Sequence, residues 1–195
     1  MMKKKTHILL LLIFVSTSII AQEKIGNKIY LYGNLENSVS GSTLVSYGIE
    51  DPKGEVKTID KFREYGVDVI SWNKLFMPGY NYSDSEINDT IDENNIQTII
   101  LIKLTNSSSY VQSNTYSFYN SWANSAFSYG SSETIVGNVG LSIEIYTRNN
   151  NFNKPLAVIR GNANNSWGEA GTQRGVILKI INRTLRAMKK NGAFE

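Results

Sequence analysis

The chain contains no cysteine and one histidine, His7. Without cysteine there is no disulfide framework, no thiolate nucleophile, no cysteine-held zinc and no site for a lipid-anchoring cut. His7 lies in an N-terminal segment built like a secretory signal. Met1 to Lys5 is basic, Ile8 to Val15 is unbroken apolar, and Ser16 to Ala21 is a small-residue exit. Cleavage is expected after Ala21, so residues 1–21 are the signal and 22–195 a single domain. The apolar stretch is too short to span a bilayer, which needs about 20 apolar residues. The trimmed chain then holds no imidazole. That excludes a Ser-His-Asp triad, a histidine base and histidine metal ligands. Carboxylate pairs, Ser-Lys dyads and a tyrosine nucleophile are the enzyme chemistries that survive.

Net charge is also scarce. Removing Lys3, Lys4 and Lys5 brings the 20 Lys+Arg down to the 17 of Asp+Glu. A globally basic surface for nucleic acid is therefore absent, and no nucleic-acid partner is expected. Roughly 170 residues suit one domain that buries roughly 70% of its extended surface without staples. Nothing in the sequence calls for a cofactor or a metal.

Hydrophobic patterning gives the elements. Lys28–Gly33 alternates as a strand, and Thr43–Ile49 is a weaker one. Asp51-Pro52-Lys53-Gly54 reads as a turn with proline second. Ile59, Phe62 and Tyr65 mark a short helix over 58–65 that stops at Gly66, and Val67–Ile70 follows as a strand. Pro78-Gly79 breaks the chain. Ser83-Asp84-Ser85-Glu86 has capping-box spacing and opens a helix to about Asn94. Ile96–Leu104 is the most apolar run and predicts a central strand covered on both faces. Val139, Leu141, Ile143 and Ile145 alternate with Gly140, Ser142, Glu144 and Tyr146, predicting a strand with one wet face. Leu156–Arg160 returns as its hairpin partner. From about Gly171 to Lys190 a helix carries Ile177, Ile181, Leu185 and Met188 on one stripe and ends at Asn191-Gly192. Gly171 and Gly175 are expected to bring this helix close to the sheet.

Leu104 to Ser132 contains no charged residue but holds Tyr116, Phe118, Tyr119 and Trp122 among serines and asparagines. Three readings apply: a long structural hairpin, a protein interface, or a glycan-binding surface whose rings cover sugar faces. The last helix carries Lys179, Arg183, Arg186 and Lys190 along one side. That is a solvated face favoured by the helix dipole, or a peripheral contact with anionic lipid. The acidic helix fails as a calcium loop, because Asp89 stands where glycine is needed and Asn95 where the bidentate glutamate should be.

The order of elements adds one expectation. The helix ending at Gly66 before Val67-Asp68-Val69-Ile70, the capped helix at Ser83, the run Asn95 to Ile102, the hairpin from Val139 to Gly161 and the closing amphipathic helix together resemble the TolB amino-terminal α/β family. That resemblance implies a non-catalytic periplasmic domain with protein partners, and it carries over no site residue. The sequence thus predicts an α/β (α+β) domain with one mixed sheet and two or three helices against one face of it. Its expected role is a non-enzymatic interaction domain, periplasmic or secreted, that meets envelope proteins through 105–132. A glycan-binding module using the same aromatics is the alternative, and a carboxylate hydrolase the least supported.

Overall fold

A computed structural model describes residues 22–112, 117–120, 134–165 and 173–194. The expected signal segment, Tyr116, Trp122 and Gly171 lie outside the described residues. Eight strands make one mixed sheet: β1 (Glu23–Gly26), β2 (Ile29–Gly33), β3 (Ser42–Gly48), β4 (Val69–Ser71), β5 (Ile96–Gln112), β6 (Ser117–Asn120), β7 (Thr134–Thr147) and β8 (Ala157–Asn165). The order is β1-β2-β8-β7-β5-β3-β4, with β6 pairing to β5. The pairs β3–β4 and β3–β5 are parallel, and all the others are antiparallel. Four α-helices complete the fold: α1 (Pro52–Glu64), α2 (Trp72–Leu75), α3 (Asp84–Glu93) and α4 (Gln173–Lys190).

The helices lie on both faces of the sheet, not on one. Strand β3 leads through α1 to β4 on one side, and β4 leads through α2 and α3 to β5 on the other side of β3. Parallel crossovers are right-handed, so two of them running in opposite directions must use opposite faces. The two cores show this. Val45 and Val69 join Ile59 and Phe62 of α1 and Ile177, Ile180, Ile181 and Leu185 of α4 in the large core. Their chain neighbours Leu44 and Ile70 turn the other way, into a smaller core with Phe76, Ile91 and Ile96.

Other differences are local. Asp51-Pro52-Lys53-Gly54 is not a turn: proline at the first helical position starts α1, which is longer than expected. Gly66, at φ 84°, does end the chain's first long helix. Strand β5 is central, but its double cover is confined to its first half. Ile99 packs on the smaller core, whereas Lys103 on the same side is exposed and pairs with Glu144 at 3.0 Å. The capping box of α3 forms in full, with Ser83 and Glu86 bonding reciprocally. Close approach of α4 to the sheet is supplied by Gly161 of β8, where a Cβ would stand 2.4 Å from Ile180 and 2.9 Å from Ile29. At the far end, α4 is anchored where Asn37 and Val39 donate to the carbonyls of Gly192 and Ala193.

Candidate functional site

Beyond the last β3–β5 partner, Gly48 with Lys103, strand β5 continues to Gln112. There it pairs with β7 on one edge as far as Gln112 with Thr134, and with β6 on the other. The result is an arm that leaves the body at the carboxyl ends of β3 and β4. At its foot the β5–β7 register shifts between Leu104 and Asn106. Gly140 sits opposite this shift. A Cβ there would meet Asn106 Oδ1 at 2.1 Å, Thr105 Oγ1 at 2.5 Å and Asn162 Oδ1 at 2.7 Å, so any larger residue must displace those three polar side chains. The side chain of Gln173, at the start of α4, donates to Ser107 Oγ at 3.3 Å and ties the arm to the body. Of the aromatic residues singled out from sequence, Phe118 and Tyr119 lie on β6 opposite Tyr110 and Ser109 of β5.

The carboxyl ends of β3 and β4 are where an open α/β sheet commonly takes ligands, because the chain leaves them toward opposite faces. Here the polar groups engage one another. Arg174 of α4 grips Asp51 with two nitrogens at 2.6–3.0 Å. That guanidinium holds the Asp51 carboxyl below its ordinary 3.8, and backbone N–H groups of Gly54 and Lys53 add to the effect. Gly54 leaves room for the pair, since a Cβ would lie 2.4 Å from Asp51 Oδ2 and 2.7 Å from the Tyr47 hydroxyl. Burial, with the nearby Asp51 charge, pushes the Tyr47 phenol up to about 12. Its hydroxyl has no partner of hydrogen-bonding geometry among the described residues.

Glu55 accepts from the Ser71 hydroxyl and from Asn73 Nδ2. Ser71 and Lys74 stand at Ser-x-x-Lys spacing, a signature of Ser-Lys hydrolases. The geometry does not assemble such a dyad. The Ser71 hydroxyl is given to Glu55, and Lys74 is exposed without a hydrogen bond or ion pair among the described residues. No group of three or more His, Cys, Asp or Glu that could hold a metal ion occurs among the described residues.

Next to this cluster is an open groove of ≈ 510 Å³, bounded by Trp72, Asn73, Phe76, Tyr80, Asn81 and Tyr82 among others. Its lining residues carry no charge. Trp72 and Phe76 stack with centroids 4.2 Å apart, and Phe76 and Tyr82 meet edge-on at 5.2 Å. Met77 and Tyr80 at its rim are 70% and 57% exposed. The sequence places only a break here, at Pro78-Gly79 after Trp72 to Met77.

The basic residues of α4 fall where sequence places them. Lys179 and Arg183 are half-buried, and Arg186 and Lys190 are exposed. None of the four pairs with an acid among the described residues. Lys189 lies beside them over the Tyr65 ring, 5.9 Å from its centroid. The apolar stripe of α4 is buried against the sheet, so the helix is not free to sink that stripe into a membrane. Among the described residues no helix is long and apolar enough to cross one.

No protein-family model matches this chain. No curated protein matches it. Among solved structures it is similar to the PelC dodecamer from Paraburkholderia phytofirmans in crystals of space group P6, at 12% identity and a TM-score of 0.47 over 82% of this chain and 95% of that one. A point variant of PelC in space group C2 gives the same identity and TM-score over 83% and 98%. That is a loose likeness of chain path, and nothing below rests on it.

Proposed function

We propose that this chain is an exported, non-enzymatic domain of the cell envelope, periplasmic or secreted, that works by contact with protein partners. The export reading rests on the pattern of residues 1–21. The contact reading rests on one observation: an uncharged arm, β5 and β7 with β6, continues past β3 and β4, with β8 following it as far as Asn165. The outer edge of β6 pairs with no other strand among the described residues, and added strands are a common mode of recognition. The inward pairing of Asp51 with Arg174 and of Glu55 with Ser71 and Asn73 supports a recognition role, because it engages the two carboxylates at the usual ligand end of the sheet.

Affinity capture from envelope extracts tests the proposal. The full protein is compared with a variant in which a short turn replaces 108–136, and circular dichroism confirms that both fold. A partner retained only by the full protein supports the reading. Equal capture by both removes the arm from it. Retention of glycans in place of proteins, lost with the arm, moves the function to the glycan-binding alternative.

A further inference from the structure

The longest helices on the two faces, α4 and α3, carry opposite charge, while α1 beside α4 is mixed, with four bases and the acids Glu55, Asp60 and Glu64. Along one side of α4, Lys179, Arg183, Arg186 and Lys190 form a ridge roughly 16 Å long at about 1.5 Å per residue, and α4 contains no acid. On the opposite face, α3 holds five acids and no base; one of them, Asp92, is engaged with Arg148 at 2.7 Å. Asp89 and Glu93 are exposed. The large apolar side chains most exposed among the described residues divide between the same two faces. Val56, 61% exposed on α1, belongs with α4, while Met77 and Tyr80 belong with α3, whose Ile87 lines the same groove. Each face is therefore a charged helix beside an apolar spot, and the signs are complementary.

We infer that copies of this chain associate head to tail, the α1/α4 face of one copy resting on the α3 face of the next. A second copy is the occupant because one chain carries both halves of the match, on helical segments of similar length. Joining unlike faces makes the contact heterologous, so assembly closes into a ring or continues as a filament. Exposed charges dominate it, so the association weakens with salt. It uses neither the arm nor its partner, and it stands or falls independently of the proposed function.

Sedimentation of the protein purified after export tests the inference, at about 50 mM and about 500 mM salt. We expect concentration-dependent assembly at low salt that weakens by about tenfold or more at high salt. Arg186→Glu with Lys190→Glu cancels the charge of the four-residue ridge on α4, and Asp89→Lys with Glu93→Lys takes α3 from five negative charges to a net of one. Each double variant alone stays monomeric, with circular dichroism showing it folded. Mixing the two restores association, because the unaltered α3 of one then meets the unaltered α4 of the other. Four results would overturn the inference: a monomeric wild-type protein at low salt and about 100 µM; variants that assemble like wild type; a mixture that stays monomeric; or binding of the basic face to phosphatidylglycerol vesicles by a protein that never self-associates.

Discussion

At the residue scale, three positions separate close-packing effects from electrostatic ones. Gly54→Ala places a methyl within 2.4 Å of Asp51 Oδ2 and displaces the carboxylate from Arg174. We expect destabilisation of about 1–3 kcal/mol by chemical denaturation. Tyr47→Phe acts in the other direction. The hydroxyl it removes is buried with no partner of hydrogen-bonding geometry among the described residues, so stability is unchanged or rises by about 1 kcal/mol; a clear loss would show that the hydroxyl is bonded, with Thr58 the nearest candidate. Arg174→Met probes pH. The folded-state pKa of Asp51 is depressed below 3.8, so its contribution is present above that value and lost as pH falls through the lower folded pKa. The variant therefore melts below wild type at pH 7, and the gap closes under strongly acid conditions. A gap independent of pH would show that Arg174 acts through packing alone. Sequence could not reveal this pair, because Asp51 and Arg174 are 123 residues apart. It also misread Pro52, whose fixed φ serves the second position of a turn and the first turn of a helix equally well.

At the scale of elements, apolar period decided what was legible. The strand beginning at Ile96, the buried side of the strand from Val139 to Ile145 and the stripe of α4 are where the pattern puts them, because burial against one core enforces it; Gly140 and Ser142, expected on a wet face, are buried as well. The second half of β5 was legible only as the hairpin among three readings of 104–132. Beyond Leu104 its ladder runs through serine, threonine and asparagine, and backbone pairing leaves no hydrophobic signature. The helices on both faces were missed for a related reason: which face a helix covers follows from strand order, and strand order is not written in any local window. The Ser83–Glu86 box was read correctly because it is wholly local. Ser83→Ala removes the acceptor for the Glu86 N–H and costs about 1 kcal/mol. Hydrogen exchange should quicken in α3 and leave α4 unchanged. Gly140→Ala tests the foot of the arm, where a methyl must displace the side chains of Asn106, Thr105 and Asn162. We expect protection to fall in 105–112 and 134–140 while β3 and α1 keep theirs. Protection lost throughout would mean that the arm and body form one cooperative unit.

For the whole molecule, two cores on opposite faces imply two levels of stability. The smaller one, Leu44, Phe76, Ile91 and Ile96, is covered by α2, α3 and the loop residues Tyr82 and Phe152, while the larger one joins α1, α4 and most of the sheet. Native-state exchange in mild denaturant should therefore open 72–93 before the body unfolds. The same division places the acidic helix on the more mobile face and the basic ridge on the rigid one. The central claim, that this chain acts by contact made through its arm, is tested most directly by photo-crosslinking in living cells. A photo-reactive residue replaces Tyr119 on β6, with Glu64 on α1 as the control position. The account expects a discrete adduct with an envelope protein from position 119 and none of that mass from position 64. An absence of adducts at 119, or the same diffuse set from both positions, would contradict it.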